Sequence, residues 1–471
     1  MATLRSVLLL CSCLAVAAEE PSFNLGPLGA EGLPQKGGDG LAGGAWGLRV
    51  TSVAEGAPAK AAGLAPGDVI AGVGTQAFTN PKSLLVYQLV DLLEKAQSKK
   101  DPKLSLLVMR GGKKQNLPIE LPSPGPHAAT CPTGCARCEK VIEESLKYIA
   151  SKQRGDGGYD ARYSATNGEV VMTSLVCLAL LASGSTQTEG PYAENLRKGV
   201  DFVSKNCGKA ATAEELAGFP PGNWNQTNWG YAYTAIFLCQ VYQIAPSDGL
   251  KAKLEETMAA IERGQEASGG WAHGPGGPNA LKYVELQIAG NWCLCALGAL
   301  KKAGFKVPQK TVDRGVAYAV SASPGDGGIG YRAGQRNGEP GRTSGCLWGF
   351  SLLGLQKHPF FPKMSSFFKG SLDKIPTSHI SPVMHFTTSA LACTHLGSAS
   401  WKPFNEVFRL EMLSSRCLDG AFRAHPTAAG LGSVRNLDRE MGPVWTTASY
   451  VLILQLPKGK LPLLAGDLGK K

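Results

Sequence analysis

Two patterns of hydrophobic and polar positions divide the chain. Near the N-terminus, short apolar segments alternate with polar positions, as at Leu48, Val50 and Val53, and glycine and proline separate them. This alternation is typical of half-buried β-strands joined by turns. From Val141 onward, apolar residues recur at helical spacing, and strongly apolar segments alternate with amphipathic ones. The sequence therefore predicts a small α+β domain followed by a larger all-α domain.

Local signals in the first domain agree with one another. A short helix is expected over 57–62, where Gly63 ends it, and a turn at 66–68 leads into a strand over 69–71. The segment 81–96 has the helical period, and 104–109 and 117–121 form a hairpin around a Gly-Gly pair.

Several turn residues of this domain fall at fixed offsets. They are Gly56, Pro58-Ala59, Ala62-Gly63-Leu64 and Gly67-Asp68-Val69-Ile70. In this pattern residues 22–122 resemble the PDZ domains of bacterial high-temperature-requirement proteases. The resemblance implies that an extended peptide binds at a sheet edge, with 81–96 as the groove helix and a glycine-bearing loop that holds a carboxylate. The candidate peptide-binding residues are Leu25, Gly26, Leu28 and Gly29. Because Pro27 lacks an amide, a PDZ-like domain that only braces the second domain is the alternative.

Residues 1–18 have the features of a secretory signal: Arg5, an apolar stretch, and small residues before Glu19. We therefore expect a chain that is secreted, periplasmic or held in the cell envelope, and no integral membrane span. The net charge of +11 is spread over the chain rather than clustered. Nucleic-acid binding usually shows a concentrated basic stripe, so nucleic acid is not an expected partner.

A Pro/Cys-rich linker is predicted over 123–139. It contains Cys131, Cys135 and Cys138, with His127 four positions upstream of the first cysteine. The spacing is compatible with a Cys₃His zinc site. In an oxidising compartment a disulfide among these cysteines, or to Cys207 or Cys417, is the favoured interpretation, and no metal ligand is assigned.

The second domain, 140–458, shows an internal repeat. Glycine-aromatic turns recur, among them Asp156-Gly157-Gly158-Tyr159 after Gln153 and Ser268-Gly269-Gly270-Trp271 after Gln265. An apolar helix with a small polar residue near its start follows each turn. Six apolar helices alternating with six polar-faced ones predict an (α/α)6 toroid with the apolar helices inside. Residues 459–471 are interpreted as a basic C-terminal tail.

The turns resemble the repeat motifs of terpenoid cyclases, of protein prenyltransferase β subunits and of complement thioester domains. The Asp-x-Asp-Asp acid of the cyclases and the Cys-Gly-Glu-Gln thioester do not occur, and Asn291 stands where the prenyltransferases would need an acid. The known chemistries therefore do not carry over, and no cofactor is assigned.

The starts of the inner helices of a toroid are expected to converge on a cavity. Titratable groups there are candidates for acid–base catalysis, and aromatic or cationic groups are candidates for ligand binding. The catalytic candidates are Glu169, His273, Glu285 and His385. The cavity-binding candidates are Trp224, Trp229, Tyr231, Tyr283 and Arg342. A purely structural role is the alternative for each.

The arrangement of the two domains resembles secreted bacterial PDZ-domain proteins to which no reaction is assigned. The leading hypothesis is an exported binding or scaffold protein of the cell envelope. It would use the PDZ groove for a peptide or protein segment and the toroid cavity for a small molecule or carbohydrate. A lyase or hydrolase acting on a polysaccharide or lipid-like substrate is the first alternative, and a protease accessory factor is the second.

Overall fold

A computed structural model describes residues 22–79, 85–98, 104–122, 125–128, 130–161, 165–209, 226–274, 284–335, 337–426, 437–466 and 468. The predicted signal, residues 1–18, lies outside this described part of the chain, as do 81–84 of the expected groove helix. Among the described residues, no helix combines the length and the apolar character needed to cross a membrane.

The N-terminal domain is an antiparallel sheet with two helices. Its strands follow the spatial order β1-β2-β3-β4-β6-β7, and β5 pairs with β4. The strands are β1 (Phe23–Asn24), β2 (Ala30–Gly38), β3 (Leu41–Val53), β4 (Val69–Val73), β5 (Gln76–Ala77), β6 (Leu104–Arg110) and β7 (Lys113–Ile119). The helices are α1 (Pro58–Ala61) and α2 (Leu85–Gln97). The predicted α+β domain is thus confirmed.

Helix α2 covers one face of this sheet because its apolar residues share one side. Val86, Leu89 and Leu93 are fully buried, and they share a core with Ile70 and Leu106 of the sheet. The expected hairpin is formed by β6 and β7, which pair from Leu104–Ile119 to Arg110–Lys113 around the two glycines.

The second domain is a ring of paired helices. The outer helices are α3 (Ala136–Ser151), α5 (Ala193–Asn206), α7 (Asp248–Arg263), α9 (Gln309–Ser321), α11 (Phe361–Lys369) and α13 (Ser398–Ser415). The inner helices are α4 (Ala165–Ala182), α6 (Thr227–Ile244), α8 (Gln287–Lys302), α10 (Pro340–Leu353), α12 (Pro382–Leu396) and α15 (Pro443–Gln455); the short α14 (Leu437–Met441) precedes the last of them. Each inner helix contacts the next, and α15 returns to contact α4. The ring is closed, which confirms the predicted toroid.

Burial explains the two kinds of helix. Inner helices are covered by neighbours on both sides and by an outer helix, so every residue of α10 is buried. Outer helices bury a single stripe, as α5 does with Leu196, Val200 and Val203. A helix that is apolar all round belongs in the centre of a domain, and an amphipathic one belongs at the surface.

The repeated glycine turns are held by the same hydrogen bonds at different places in the ring. The Nε2 atom of Gln153 donates to the carbonyl oxygen of Gly157 at 2.8 Å and to that of Asn195 at 2.9 Å. Gln265 makes the corresponding bonds to Gly269 and Thr311 at 2.9 Å each. Each glutamine therefore ties a turn to the next outer helix.

The segment after Lys458, interpreted above as a tail, packs against the ring. Leu461, Leu463 and Leu464 are buried. The indole Nε1 of Trp348 donates to the carbonyl oxygen of Leu464 at 3.0 Å, and Nε2 of His395 lies 2.9 Å from the same oxygen. This segment therefore covers part of the ring where inner helices α10 and α12 end.

The turn geometry predicts the effect of one substitution. Gly157 has φ +89°, and a Cβ there would lie 2.3 Å from the carbonyl oxygen of Lys198. We expect Gly157→Ala to lower the free energy of unfolding by about 2–3 kcal/mol, measured by denaturant unfolding. Gly155→Ala is the matched control, because Gly155 is exposed and a Cβ there would meet nothing within 4 Å. Equal stabilities of the two variants would contradict this account of the turn.

Candidate functional site

A cavity of about 140 Å³ lies where the six inner helices begin. The first turns of all six, or the residues just before them, contribute to its wall: Asn167 and Gly168 of α4, Trp229 of α6, Ile288 of α8, Arg342 of α10, Met384 of α12 and Trp445 of α15. Because the inner helices run in one direction around a closed ring, their starts meet at one end. The expected convergence of helix starts is present in the structure.

Aromatic rings form much of the wall. Trp229 is half-buried, and its indole Nε1 donates to Nδ1 of His273 at 3.0 Å. The indole of Trp445 donates to Oδ1 of the buried Asp438 at 2.8 Å. Tyr233 stacks on the ring of Trp292 with centroids 4.1 Å apart. These partners hold the rings in place, so the aromatic surface is preorganised.

Arg342 is the cationic group of the wall among the residues that the structure describes. Arg342 is buried, and its guanidinium pairs with the carboxylate of Glu339. Its guanidinium carbon lies 5.8 Å from the centre of the Tyr331 ring, and that ring meets His379 edge-on at 5.4 Å. Arg342, Tyr331 and His379 thus form one cluster on the cavity wall.

Two buried amides of the wall have polar atoms without a hydrogen-bond partner among the described residues. They are Oδ1 of Asn167 and Nε2 of Gln226, on side chains that are 2% and 7% exposed. A buried polar atom without a partner costs about 1–3 kcal/mol. Such atoms on the wall of a cavity are available to a ligand.

Desolvation favours the neutral form of both histidines of the wall, of which His273 is buried and His379 is exposed. It lowers the pKa of His273 to about 3 and also lowers the pKa of His379. The positive charge of the nearby Arg342 lowers the pKa of His379 further. The pKa of the Asp438 carboxyl shifts in the opposite direction. Burial raises this pKa to about 7, although the carboxyl accepts hydrogen bonds from Ser381 and Trp445. At neutral pH the two imidazoles can accept as well as donate hydrogen bonds.

Three of the candidate site residues line this cavity: His273, Trp229 and Arg342. Trp224 and Tyr283 lie outside the described residues.

The other four candidates of the toroid have different places. Glu169 pairs with Arg154 beside the first glycine turn, at 3.1 Å. Glu285 accepts from Ser268 at 3.2 Å and lines a separate cleft. His385 is buried behind the wall, with Nε2 3.1 Å from the carbonyl oxygen of His379. Tyr231 packs near Gly208, away from the cavity. Glu169, Glu285, His385 and Tyr231 therefore do not line the cavity at which the sequence placed them.

Sequence reasoning did not select Asn167 and Gln226. Asn167 lies in the first turn of one inner helix and Gln226 directly precedes another, and this position is the sequence signal that could have identified them. The candidates were chosen among titratable and aromatic residues, and the amides belong to neither group.

The candidate peptide-binding loop of the PDZ-type domain contacts the toroid. Leu25 and Leu28 are fully buried, Gly26 is buried and Gly29 is half-buried. A Cβ on Gly26 would lie 2.6 Å from the carbonyl oxygen of Leu413 in α13.

The groove helix α2 contacts the same toroid helix. Nη2 of Arg409 lies 3.0 Å from Oδ1 of Asp91, and the same guanidinium also pairs with Glu94. The hydroxyl of Tyr87 donates to the carboxylate of Glu411. Both elements that were expected to form the peptide groove therefore lie against α13.

A PDZ-type sheet followed by a closed ring of paired helices, with an aromatic cavity at one end, defines a two-domain PDZ–toroid protein. The family model described as "Domain of unknown function (DUF6288)" matches residues 138–465, more than half of the chain, and the chain belongs to this family. The PDZ domain model matches residues 20–109, which supports a binding role for the N-terminal domain. A search of curated proteins found no match.

Similar solved structures include carbohydrate-active enzymes. An inactive variant of the α-1,6-mannanase GH76A of Salegentibacter sp. HEL1_6, in complex with α-1,6-mannotriose, is 11% identical, with 67% of this chain and 99% of that chain covered and a TM-score of 0.46. Cellobiose 2-epimerase from Spirochaeta thermophila is 12% identical, with 67% and 96% covered and a TM-score of 0.47. The unsaturated glucuronyl hydrolase of Bacillus sp. GL1 is 13% identical, with 70% and 100% covered and a TM-score of 0.44.

The solved structures named above are a mannanase, an epimerase and a hydrolase, whereas the glycine turns resemble the motifs of terpenoid cyclases. The turn motif stabilises helix pairs wherever they occur, so it identifies the architecture rather than a family.

The depressed pKa of His273 predicts a pH dependence of stability. The unfolded chain binds a proton at this residue below about pH 6.5, whereas the folded chain does so only near pH 3. Stability is therefore lost as the pH falls below 6.5. We expect His273→Gln to remove about 2 kcal/mol of the loss between about pH 7 and about pH 5, measured by denaturant unfolding at each pH. Identical pH profiles for variant and wild type would contradict a buried neutral His273.

Proposed function

We propose that this chain is an exported binding protein of the cell envelope whose toroid cavity holds a small carbohydrate. The observation that carries the proposal is the pair of buried amides on the cavity wall, Asn167 and Gln226, each with a polar atom that has no partner among the described residues. The predicted secretory signal supports the exported location.

A sugar matches both parts of the wall. Each hydroxyl can donate to Oδ1 of Asn167 and accept from Nε2 of Gln226, which an apolar ligand cannot do. The faces of a sugar ring carry C–H groups that pack on aromatic rings, and Trp229 and Trp445 supply such rings. A mostly apolar cavity with a few convergent polar groups is the usual form of a small-molecule site.

The places of the predicted acids favour binding over hydrolysis. Glycoside hydrolysis uses two carboxyl groups on opposite sides of the scissile bond. Glu169 is held by Arg154 and Glu285 by Ser268, both away from the cavity. Glu339 and Asp438 lie near the wall, and each is engaged with neighbouring side chains.

We assign the PDZ-type domain to bracing the toroid. Its candidate loop and its groove helix both contact α13, so the binding surface of this domain has a partner within the same chain. The scaffold and protease-accessory hypotheses need a free groove for a second protein. The bracing role proposed as an alternative from the sequence is the one that these contacts support.

A lyase is the second candidate function, and the Arg342 cluster favours it over a hydrolase. In a β-elimination on an acidic sugar, a base removes the proton next to the carboxylate, the C–O bond at the neighbouring carbon breaks, and the leaving oxygen takes up a proton. A neutral imidazole can serve as the base, and a guanidinium can pair with the carboxylate of the sugar. His379 and Arg342 could supply these groups, with Tyr331 between them.

Asn167→Leu tests whether the Asn167 amide binds a ligand or stabilises the fold. The substitution removes a buried polar atom that has no hydrogen-bond partner among the described residues, so we expect the free energy of unfolding to stay the same or to rise. The affinity for an oligosaccharide should fall about tenfold, since the lost hydrogen bond contributes about 1 kcal/mol or more. Quenching of tryptophan fluorescence in a panel of neutral and acidic oligosaccharides would measure the binding.

Trp229→Ala tests the aromatic wall in the same assay, and Tyr242→Ala is its control. Both residues belong to α6, but only Trp229 lines the cavity. Loss of binding in both variants, or in neither, would contradict the proposed site. A wild-type chain that binds no member of the panel would overturn the carbohydrate proposal.

The lyase candidate predicts a different readout. Incubation with an acidic polysaccharide should produce the ultraviolet absorbance of the new conjugated double bond, and His379→Ala should abolish it. If acidic oligosaccharides bind without any such absorbance, the chain is a binding protein and the lyase candidate is wrong.

A further inference from the structure

Four metal-binding side chains converge where the two domains join. His127, Cys131, Cys135 and Cys138 each offer one ligand atom, and these four atoms all lie within 4.8 Å of one another. We propose that they bind one Zn²⁺ ion as a Cys₃His site that fastens the linker between the PDZ-type domain and the toroid. Neither the proposed carbohydrate site nor its ligand is needed for this inference.

The distances fit a tetrahedral ion. With Zn–S bonds of about 2.3 Å and Zn–N bonds of about 2.0 Å, ligand atoms should be about 3.5–3.8 Å apart. Nδ1 of His127 lies 3.5 Å from Sγ of Cys131, 3.5 Å from Sγ of Cys135 and 3.9 Å from Sγ of Cys138. The sulfurs of Cys131 and Cys138 are 3.1 Å apart, so a small outward movement of one would complete the site.

The geometry of the cluster favours a metal ion over the disulfide that the sequence favoured. The eleven cysteines of the described residues are all free thiols, including Cys207 and Cys417. The three sulfurs all lie close to the same imidazole nitrogen. They therefore surround a common centre, whereas a disulfide would bring together only two of them. Thiolate and imidazole together are the ligands that zinc prefers, and four protein ligands leave no open position, which is typical of a structural site.

The local fold explains how the four ligands meet. Cys135 is the residue before α3, and Cys138 lies in the first turn of that helix. Cys131 and His127 come from the preceding irregular segment, where successive turns bring the chain back toward the helix start. Cys135 and Cys138 are almost fully buried, so their thiols are shielded from solvent.

A carboxylate on the other domain completes the arrangement. Nε2 of His127, the ring nitrogen that faces away from the cysteines, lies 2.6 Å from Oε1 of Glu94 in α2. Metal-binding histidines usually direct their second nitrogen to such a carboxylate, which orients the ring and strengthens the ligand. Glu94 is buried and also pairs with Arg409 of α13. The zinc site would therefore be linked, through one glutamate, to both domains.

The test is the metal content of the full chain, purified without added metal and measured by plasma mass spectrometry. We expect about one zinc per chain, and loss of that zinc in Cys138→Ser and in His127→Gln. Cys417→Ser is the control, because Cys417 is partly exposed and lies outside the cluster. A chelator should lower the melting temperature of the wild type and of this control.

Glu94→Gln tests the link to the PDZ-type domain. We expect it to weaken zinc binding about 10–100-fold in competition with a chromogenic chelator. Asp91→Asn is the matched control, since Asp91 belongs to the same helix and pairs with the same arginine without touching the cluster. If both variants weaken zinc equally, Glu94 acts only through the domain contact.

A cobalt titration of the wild type keeps the proposal testable if the variants fail to fold. Cobalt bound by three thiolates shows intense thiolate charge-transfer absorbance, and zinc should displace it at one equivalent. Failure of the wild type to bind either metal stoichiometrically would overturn the proposal. So would intact-mass evidence that Cys131, Cys135 and Cys138 form a disulfide in the purified chain.

Discussion

Closure of the inner ring is the constraint on which the rest of this structure depends. Each inner helix must be covered on all sides, so it is apolar all round, and it must contact two inner neighbours. A closed ring of parallel inner helices places all their starts at one end, where no further turn of helix fills the centre. The cavity is thus a consequence of the packing, and the side chains in the first turns decide what it can hold. This explains why Asn167, Trp229, Arg342 and Trp445, which are far apart in the chain, share one wall.

The outer helices are free to carry a second task, and α13 does so. Its inner side packs on α12 within the toroid, while Arg409, Glu411 and Leu413 contact the PDZ-type domain. Three of the contacts are charged or polar pairs in partly buried surroundings, where removing one partner costs more than the pair contributes. Such an interface fixes orientation. A fixed PDZ-type domain is in turn what allows Glu94 to stand opposite His127.

The architecture could be predicted from the sequence because it depends on periodicity. Alternating strand positions around Val50, helical stripes and glycine turns each specify local structure, and the alternation of six apolar with six polar-faced helices specifies a ring. The site could be predicted only in part. Helix starts were correctly expected to converge, but Glu169, which lies between the wall residues Gly168 and Val171, does not line the cavity, and its carboxylate is held by Arg154. Successive side chains of an α-helix point about 100° apart, so the neighbour of a side chain that lines the cavity can point away from it.

Long-range contacts account for what periodicity missed. The linker cysteines have a spacing that fits a disulfide or a metal site. The sequence alone does not show that Glu94, 33 positions before His127, lies beside them. The fold does so, because α2 and the start of α3 meet at the domain junction. A disulfide would use only two of the three cysteines, and it would give the imidazole of His127 and the carboxylate of Glu94 no role. A zinc ion uses all of them, and it neutralises thiolates that would otherwise repel one another and Glu94 at short range. The ion therefore accounts for the whole group of side chains at the junction, whereas a disulfide accounts for two of them.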